Sequence, residues 1–198
     1  MNLSVNQRSK KVMLTVALLV LAALVIGLGT WAAFSSTTTN PGNNFASGTV
    51  VISDNDGGSA MFNLSNLKPN DSADRCIQVT YTGTLPSSVR LYGTVAGSGL
   101  DDYLDVTVTR GVIPSGAFPD CSSFTPDSTD YNGDGPGVIF SDVLGNYPAT
   151  YAAGIVDPSA SWGNGDVHAY QFEVTQEDNN SAQGLTATSD FTWEARNN

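Results

Sequence analysis

Three groups of residues in this sequence have the types and spacing to do chemistry. The segment Asp130-Tyr131-Asn132-Gly133-Asp134-Gly135 sets side-chain oxygens at alternate positions before a glycine, which is how a calcium-binding loop begins. Such a loop is completed by a bidentate Glu at its twelfth position; Ser141 stands there, with Asp142 one step later. Asp130, Asn132, Asp134 and Asp142 are thus a candidate calcium set that lacks its strongest ligand. The competing reading is a solvated turn whose Asp and Asn side chains hold their own backbone. Asp54-Asn55-Asp56-Gly57-Gly58 is shorter and reads as a hairpin turn. No cofactor is required by anything else in the chain.

The second group is a single side chain. His168 is the one histidine, so Ser-His-Asp and Cys-His catalysis would both have to run through it. A zinc site of the H-E-x-x-H kind needs two histidines one helical turn apart. His168 lies at the start of an alternating run, on the face of Tyr170 and Phe172, and is expected to be structural. No catalytic residue is assigned, and an enzyme is not expected.

The third group is the cysteine pair, Cys76 and Cys121. Their chemistry depends on compartment, which the first residues decide. Arg8, Lys10 and Lys11 precede a run from Val12 to Ile26 that is apolar but for Thr15, the layout of a secretory signal. Thr30-Trp31-Ala32 supplies small residues at the two positions a signal peptidase reads, placing the cut between Ala32 and Ala33. An uncleaved anchor spanning Val12 to Phe34 is the alternative; either way the remainder lies outside the cell. Two cysteines in an oxidising compartment read as one disulfide, which on the chain-entropy estimate would contribute about 4 kcal/mol.

The cut would remove three of the eight basic residues and none of the 19 acidic ones. The exported part is then more acidic still than the full chain's net −11. That field repels nucleic acid and anionic lipid, leaving the membrane as a partner only before cleavage.

The elements that must position these groups read as β almost throughout. Ile77, Val79 and Tyr81 alternate with polar residues, as do Val106 and Val108, Tyr170 to Val174, and Phe191 and Trp193. Period two with one apolar face marks antiparallel strands covering a core on one side. Further strands are expected at Thr49–Ser53, Ala60–Leu64, Val89–Val95, Val138–Ser141 and Leu185–Ser189, with one helical turn within Ser141–Tyr147. Gly, Pro and Asp punctuation between them argues an antiparallel β-sandwich or jelly roll, preceded by the signal helix. The expected organisation is a signal peptide over 1–32, an arm over 33–45 and one β domain over 46–198. The long segment Ile113–Gly137 holds Cys121, so the disulfide is expected to pin it to the strand of Cys76. Asn63-Leu64-Ser65, Asn70-Asp71-Ser72 and Asn179-Asn180-Ser181 fit the glycosylation acceptor pattern.

The arm is rich in Ser, Thr and Asn, with Phe34 and Phe45 as apolar anchors. Extended, it would place Phe34, Ser36, Thr38 and Asn40 on one face, and Pro41-Gly42 would end the run. Disorder, an edge strand in its own sheet, and a strand lent to a neighbour are its three possible fates.

Gly29-Thr30-Trp31-Ala32-Ala33-Phe34, Phe45-Ala46-Ser47-Gly48-Thr49 and Asn63-Leu64-Ser65-Asn66-Leu67-Lys68-Pro69-Asn70-Asp71 occur in an order that resembles the TasA/camelysin family of exported bacterial proteins. Thr82-Gly83-Thr84-Leu85 adds to the resemblance. It implies a jelly-roll subunit, cut by a dedicated signal peptidase, that polymerises with its own copies into fibres of the biofilm matrix, with accessory matrix proteins as further partners. It also implies that Ala33 to Phe45 is a donor strand with Ala33 as its free end. Two alternatives accompany it: a camelysin-like surface metallopeptidase, and a surface-anchored adhesion module. Cys76, Cys121 and Asn70, which stands where glycine is common, depart from the family's pattern.

Overall fold

The computed structural model describes residues 7–29 and 46–197. The chain divides into two units, residues 1–45 and 46–198. In the first, α1 runs Gln7–Gly29. Its described apolar side chains, from Val12 to Leu21, stand exposed, and a helix apolar on all sides has no polar face to turn to water. Among the described residues no helix is long and apolar enough to cross a membrane.

The second unit is all-β and antiparallel. Its strands are β1 (Ile52–Asp54), β2 (Ser72–Tyr81), β3 (Ser87–Gly97), β4 (Leu104–Val112), β5 (Thr125–Pro126), β6 (Val138–Val143), β7 (Ile155–Val156), β8 (Val167–Gln176) and β9 (Ala187–Asn197). One sheet has the order β1-β2-β8-β4, with β5 and β6 both on the far side of β4; the other is β7-β3-β9. The alternation seen in the sequence is the cause. Ile77, Val79 and Tyr81 of β2, Val106 and Val108 of β4, and Tyr170 and Phe172 of β8 are all buried on one face, meeting Val89 and Leu91 of β3. Aromatic rings bridge the sheets: Phe172 lies 4.5 Å from Phe191, and Tyr170 5.5 Å from Trp193. This is a six-on-three antiparallel sandwich; the jelly-roll winding is carried by the resemblance alone.

The two flanks of the sandwich differ. On one, β7 and the chain on either side of it close the gap: Gly93 N–H donates to Pro148 O, and Asp157 N–H to Val89 O. A short 3-10 turn, Leu144–Asn146, falls within the expected helical turn. Gly93 permits that closure and the packing of β9, since a Cβ there would stand 1.9 Å from Asp190 O. On the other flank, β9 of the small sheet and the β1–β2 edge of the large one have no strand between them.

Two expectations need correction there. Ala60–Leu64 forms no strand, and Asp54–Gly58 is not a tight hairpin, because β2 begins only at Ser72. The Asp54 and Asp56 carboxylates do accept from the Asp56 and Gly58 amides, making a turn. After it the chain runs irregularly to Asp71 instead of pairing. Leu185–Ser189 is shifted, with β9 starting at Ala187.

Candidate functional site

The open flank is the candidate site, and backbone parity defines it. In an antiparallel strand the N–H and C=O of one residue point to the same side, and successive residues alternate. On β3, Ser87, Val89 and Gly93 use their backbone on the β7 side, bonding Trp162, Asp157 and Pro148. The even-numbered residues therefore face β9, where the register sets Arg90 opposite Glu194, Tyr92 opposite Thr192 and Thr94 opposite Asp190. By elimination, the amides and carbonyls of Ser189, Phe191, Trp193 and Ala195 point away from β3, along an edge that no other described strand covers.

Beside this edge lies a groove of about 630 Å³ between the two sheets. Its floor is apolar, with Ile77, Leu104, Leu144 and Val174 of the core among the lining residues, and Phe191 and Trp193 of β9 form one wall. The Trp193 indole N–H is buried there without an acceptor among the described residues. An exposed sheet edge over an apolar floor is what an added strand needs: main-chain partners for affinity and side-chain pockets for register.

Polar chemistry is concentrated elsewhere, at one end of the sandwich. Arg110 occupies a core-facing position of β4, after Val106 and Val108, and is buried. Its Nε donates to Asp157 Oδ2 at 2.9 Å and its Nη1 to Asp127. Its Nη2 donates to Ser159 Oγ and to His168 Nδ1, each at 2.7 Å. Asp157 also accepts from Trp162 Nε1, the Tyr170 hydroxyl and the Ser159 amide. Burial works against the charge on Arg110, but Asp157 and Asp127 outweigh it and raise its pKa. Burial, then the neighbouring Arg110, lowers the pKa of His168.

That arrangement decides against the one catalytic pair the cluster contains. Ser159 Oγ lies 3.4 Å from His168 Nε2, the pairing of a nucleophile and its base. A guanidinium can only donate, so Nδ1 must accept, and in the neutral ring Nε2 then carries the proton. His168 donates toward Ser159 and cannot take its proton. The ring is further held edge-on by Trp162, 4.4 Å between centroids. The cluster does not fit a metal either: the guanidinium of Arg110 sits where His168, Asp157 and Asp127 would converge on a cation. Among the described residues no group of three or more His, Cys, Asp or Glu could hold a metal ion.

The calcium candidates are placed as follows. Asp130 Oδ1 accepts from the Gly133 amide, and Asn132 Oδ1 from the Asp134 amide, while Asn132 Nδ2 donates to Asp134. Asp142 lies on β6, engaged with the Val143 amide and Asn146. The loop carboxylates thus hold their own turn, and Asp142 serves a separate one. Cys76 and Cys121 form the disulfide, and the Cys76 amide donates to Pro119 O, so the long loop is pinned along the outer edge of β2. Ala32, Ala33, Phe34, Ser36, Thr38, Asn40 and Phe45, the cleavage and arm residues, lie outside the described residues.

Arg110, Asp127, Asp157, Ser159 and Trp162 were not singled out by sequence reasoning. One signal was available: an arginine at the apolar parity of a strand must bury its charge and so needs carboxylates nearby. Which ones it takes, 17 and 47 residues further on, only folding reveals.

Residues 7–95 match the family described as camelysin metallo-endopeptidase. Over 76 residues the chain is 42% identical to a protein of Bacillus subtilis (strain 168) named major biofilm matrix component. That match covers 38% of this chain and 28% of the relative, so the chain matches less than a third of that protein's length. On these two likenesses, residues 7–95 are similar to the camelysin family and a 76-residue part of the chain to a biofilm matrix protein.

Proposed function

We propose that this chain is an exported, non-enzymatic subunit of a cell-surface or biofilm-matrix fibre. A signal peptidase cuts between Ala32 and Ala33, and the freed segment 33–45 adds as a strand to the β9 edge of the next copy. The observation that carries this reading is the uncovered edge of β9, 11 residues long, standing over an apolar groove. The name of the Bacillus relative supports the matrix setting.

Length and charge agree with it. At about 3.4 Å per residue β9 offers roughly 37 Å of edge, and the eight residues Ala33–Asn40 would cover about 27 Å of it before Pro41. Residues 33–45 carry no charged side chain, so the lent strand escapes the repulsion that a strongly acidic recipient exerts on acidic segments. Each copy lends at one end and receives at another, a head-to-tail contact that propagates instead of closing. Before the cut the arm is tethered to α1, and cleavage is the switch.

The test compares residues 33–198 with residues 46–198 by electron microscopy and sedimentation, with and without calcium. Fibres from the longer chain alone are expected. Two monomers at high concentration would overturn the reading.

A further inference from the structure

Ala60 to Leu67 lines the same groove, opposite β9. Its sequence has the alternation of a strand, with Phe62 and Leu64 on one parity and Asn63 and Ser65 on the other. Yet it forms no strand, and among the described residues no backbone hydrogen bond involves any of the eight. What holds it is side-chain contact. Met61, Phe62 and Leu67 pack half-buried against the core, and the Arg75 guanidinium stands 6.0 Å over the Phe62 ring. Among the described residues both walls of the groove therefore carry unpaired main chain: this segment on one side, and Ser189, Phe191 and Trp193 on the other.

Turns held by their own hydrogen bonds flank the segment and leave it free of main-chain bonds between them. Gly57 and Gly58 have φ of 61° and 82°, and Asn66 and Asn70 have φ of 54° and 62°. A stretch fixed by a few apolar side chains, without main-chain bonds, is at the low end of local opening cost.

We infer that residues 60–67 are a plug: they cover the apolar floor beside β9 in the unassembled subunit and swing out when a strand of another copy enters. The inference rests on the strand-lending reading above and adds its control. Met61, Phe62 and Leu67 shield the floor from water until a partner arrives, so that the groove is never bare. A copy adds only when the entering strand offers more than the plug does, since main-chain bonds to β9 are available to the stranger and unused by the plug.

Met61 reports the movement. It is the one methionine in residues 33–198, and oxidation of a methionine follows its exposure. Dilute hydrogen peroxide is applied to the uncut chain and to fibres grown from residues 33–198, and sulfoxide at Met61 is followed by peptide mass spectrometry. Oxidation in the fibre is expected to be faster by about threefold or more. An equal or slower rate would overturn the plug and leave the strand-lending reading standing. Failure of residues 33–198 to form fibres at all would overturn both.

Discussion

Arg110 stands at the position of β4 where the alternation of Leu104, Val106 and Val108 calls for another apolar side chain. The fold accommodates it by bringing Asp127, Asp157, Ser159 and His168 to four of its five N–H groups. Removing one partner of such a buried pair leaves an uncompensated charge, which costs about 3–5 kcal/mol. Asp157→Ala should therefore lower stability by that order in urea unfolding, and it also strips acceptors from Trp162 and Tyr170. Replacing Arg110 by Met in the same chain should recover part of the loss. The ring of His168 gives the cluster a pH dependence. Its pKa in the fold lies below the usual value near 6.5, because burial and then Arg110 disfavour its charged form. The unfolded chain therefore binds the extra proton first, and stability falls as the pH drops from about 6.5 toward the folded value. The melting temperature is expected to fall between pH 7.5 and 5, with a shallower fall in His168→Gln.

Among the elements, β9 carries the most consequence, because its two edges have different fates. Even-numbered residues bond β3; odd-numbered ones face the groove. Proline removes an N–H, so its effect depends on parity. Ser189→Pro removes an amide that points to the open edge, and it should leave the fold intact by circular dichroism while blocking fibre growth. Asp190→Pro, one residue on, removes an amide directed at Thr94 of β3 and should unfold the small sheet instead. Equal behaviour of the two variants would contradict the parity assigned to β9. The edge of β2 is treated differently: the disulfide holds the long loop against it, and Pro119 O accepts from the Cys76 amide. One edge of the open flank is thus partly occupied and the other uncovered among the described residues, so the proposed strand addition would fall on β9.

On the scale of the whole molecule, charge would oppose the proposed assembly. Subunits carrying a large excess of carboxylates must approach closely in a fibre, and the screening length falls from about 10 Å at 0.1 M salt to 3 Å at 1 M. Fibre growth followed by light scattering should therefore quicken as sodium chloride is raised. Calcium and magnesium at equal ionic strength should act alike if cations only screen. A selective effect of calcium, lost in Asp130→Asn with Asp134→Asn, would instead give the Asp130 loop a binding role.

Alternation in the sequence was enough to place β2, β3, β4, β8 and the body of β9, because one-sided burial imposes period two on every half-covered strand. The disulfide followed from counting, because the chain has just two cysteines. Ala60–Leu64 shows where this ends. It has a strand's pattern but is seated by side-chain contacts and makes no main-chain bond to another described segment, and pairing is a property of two segments, never of one. The same holds for Arg110, whose partners lie far along the chain, and for β9, whose sequence resembles that of any other edge-forming strand. That one flank is sealed and the other left open was decided only by tertiary structure, since it depends on which strands the chain supplies on each side of the core and not on what any of them contains.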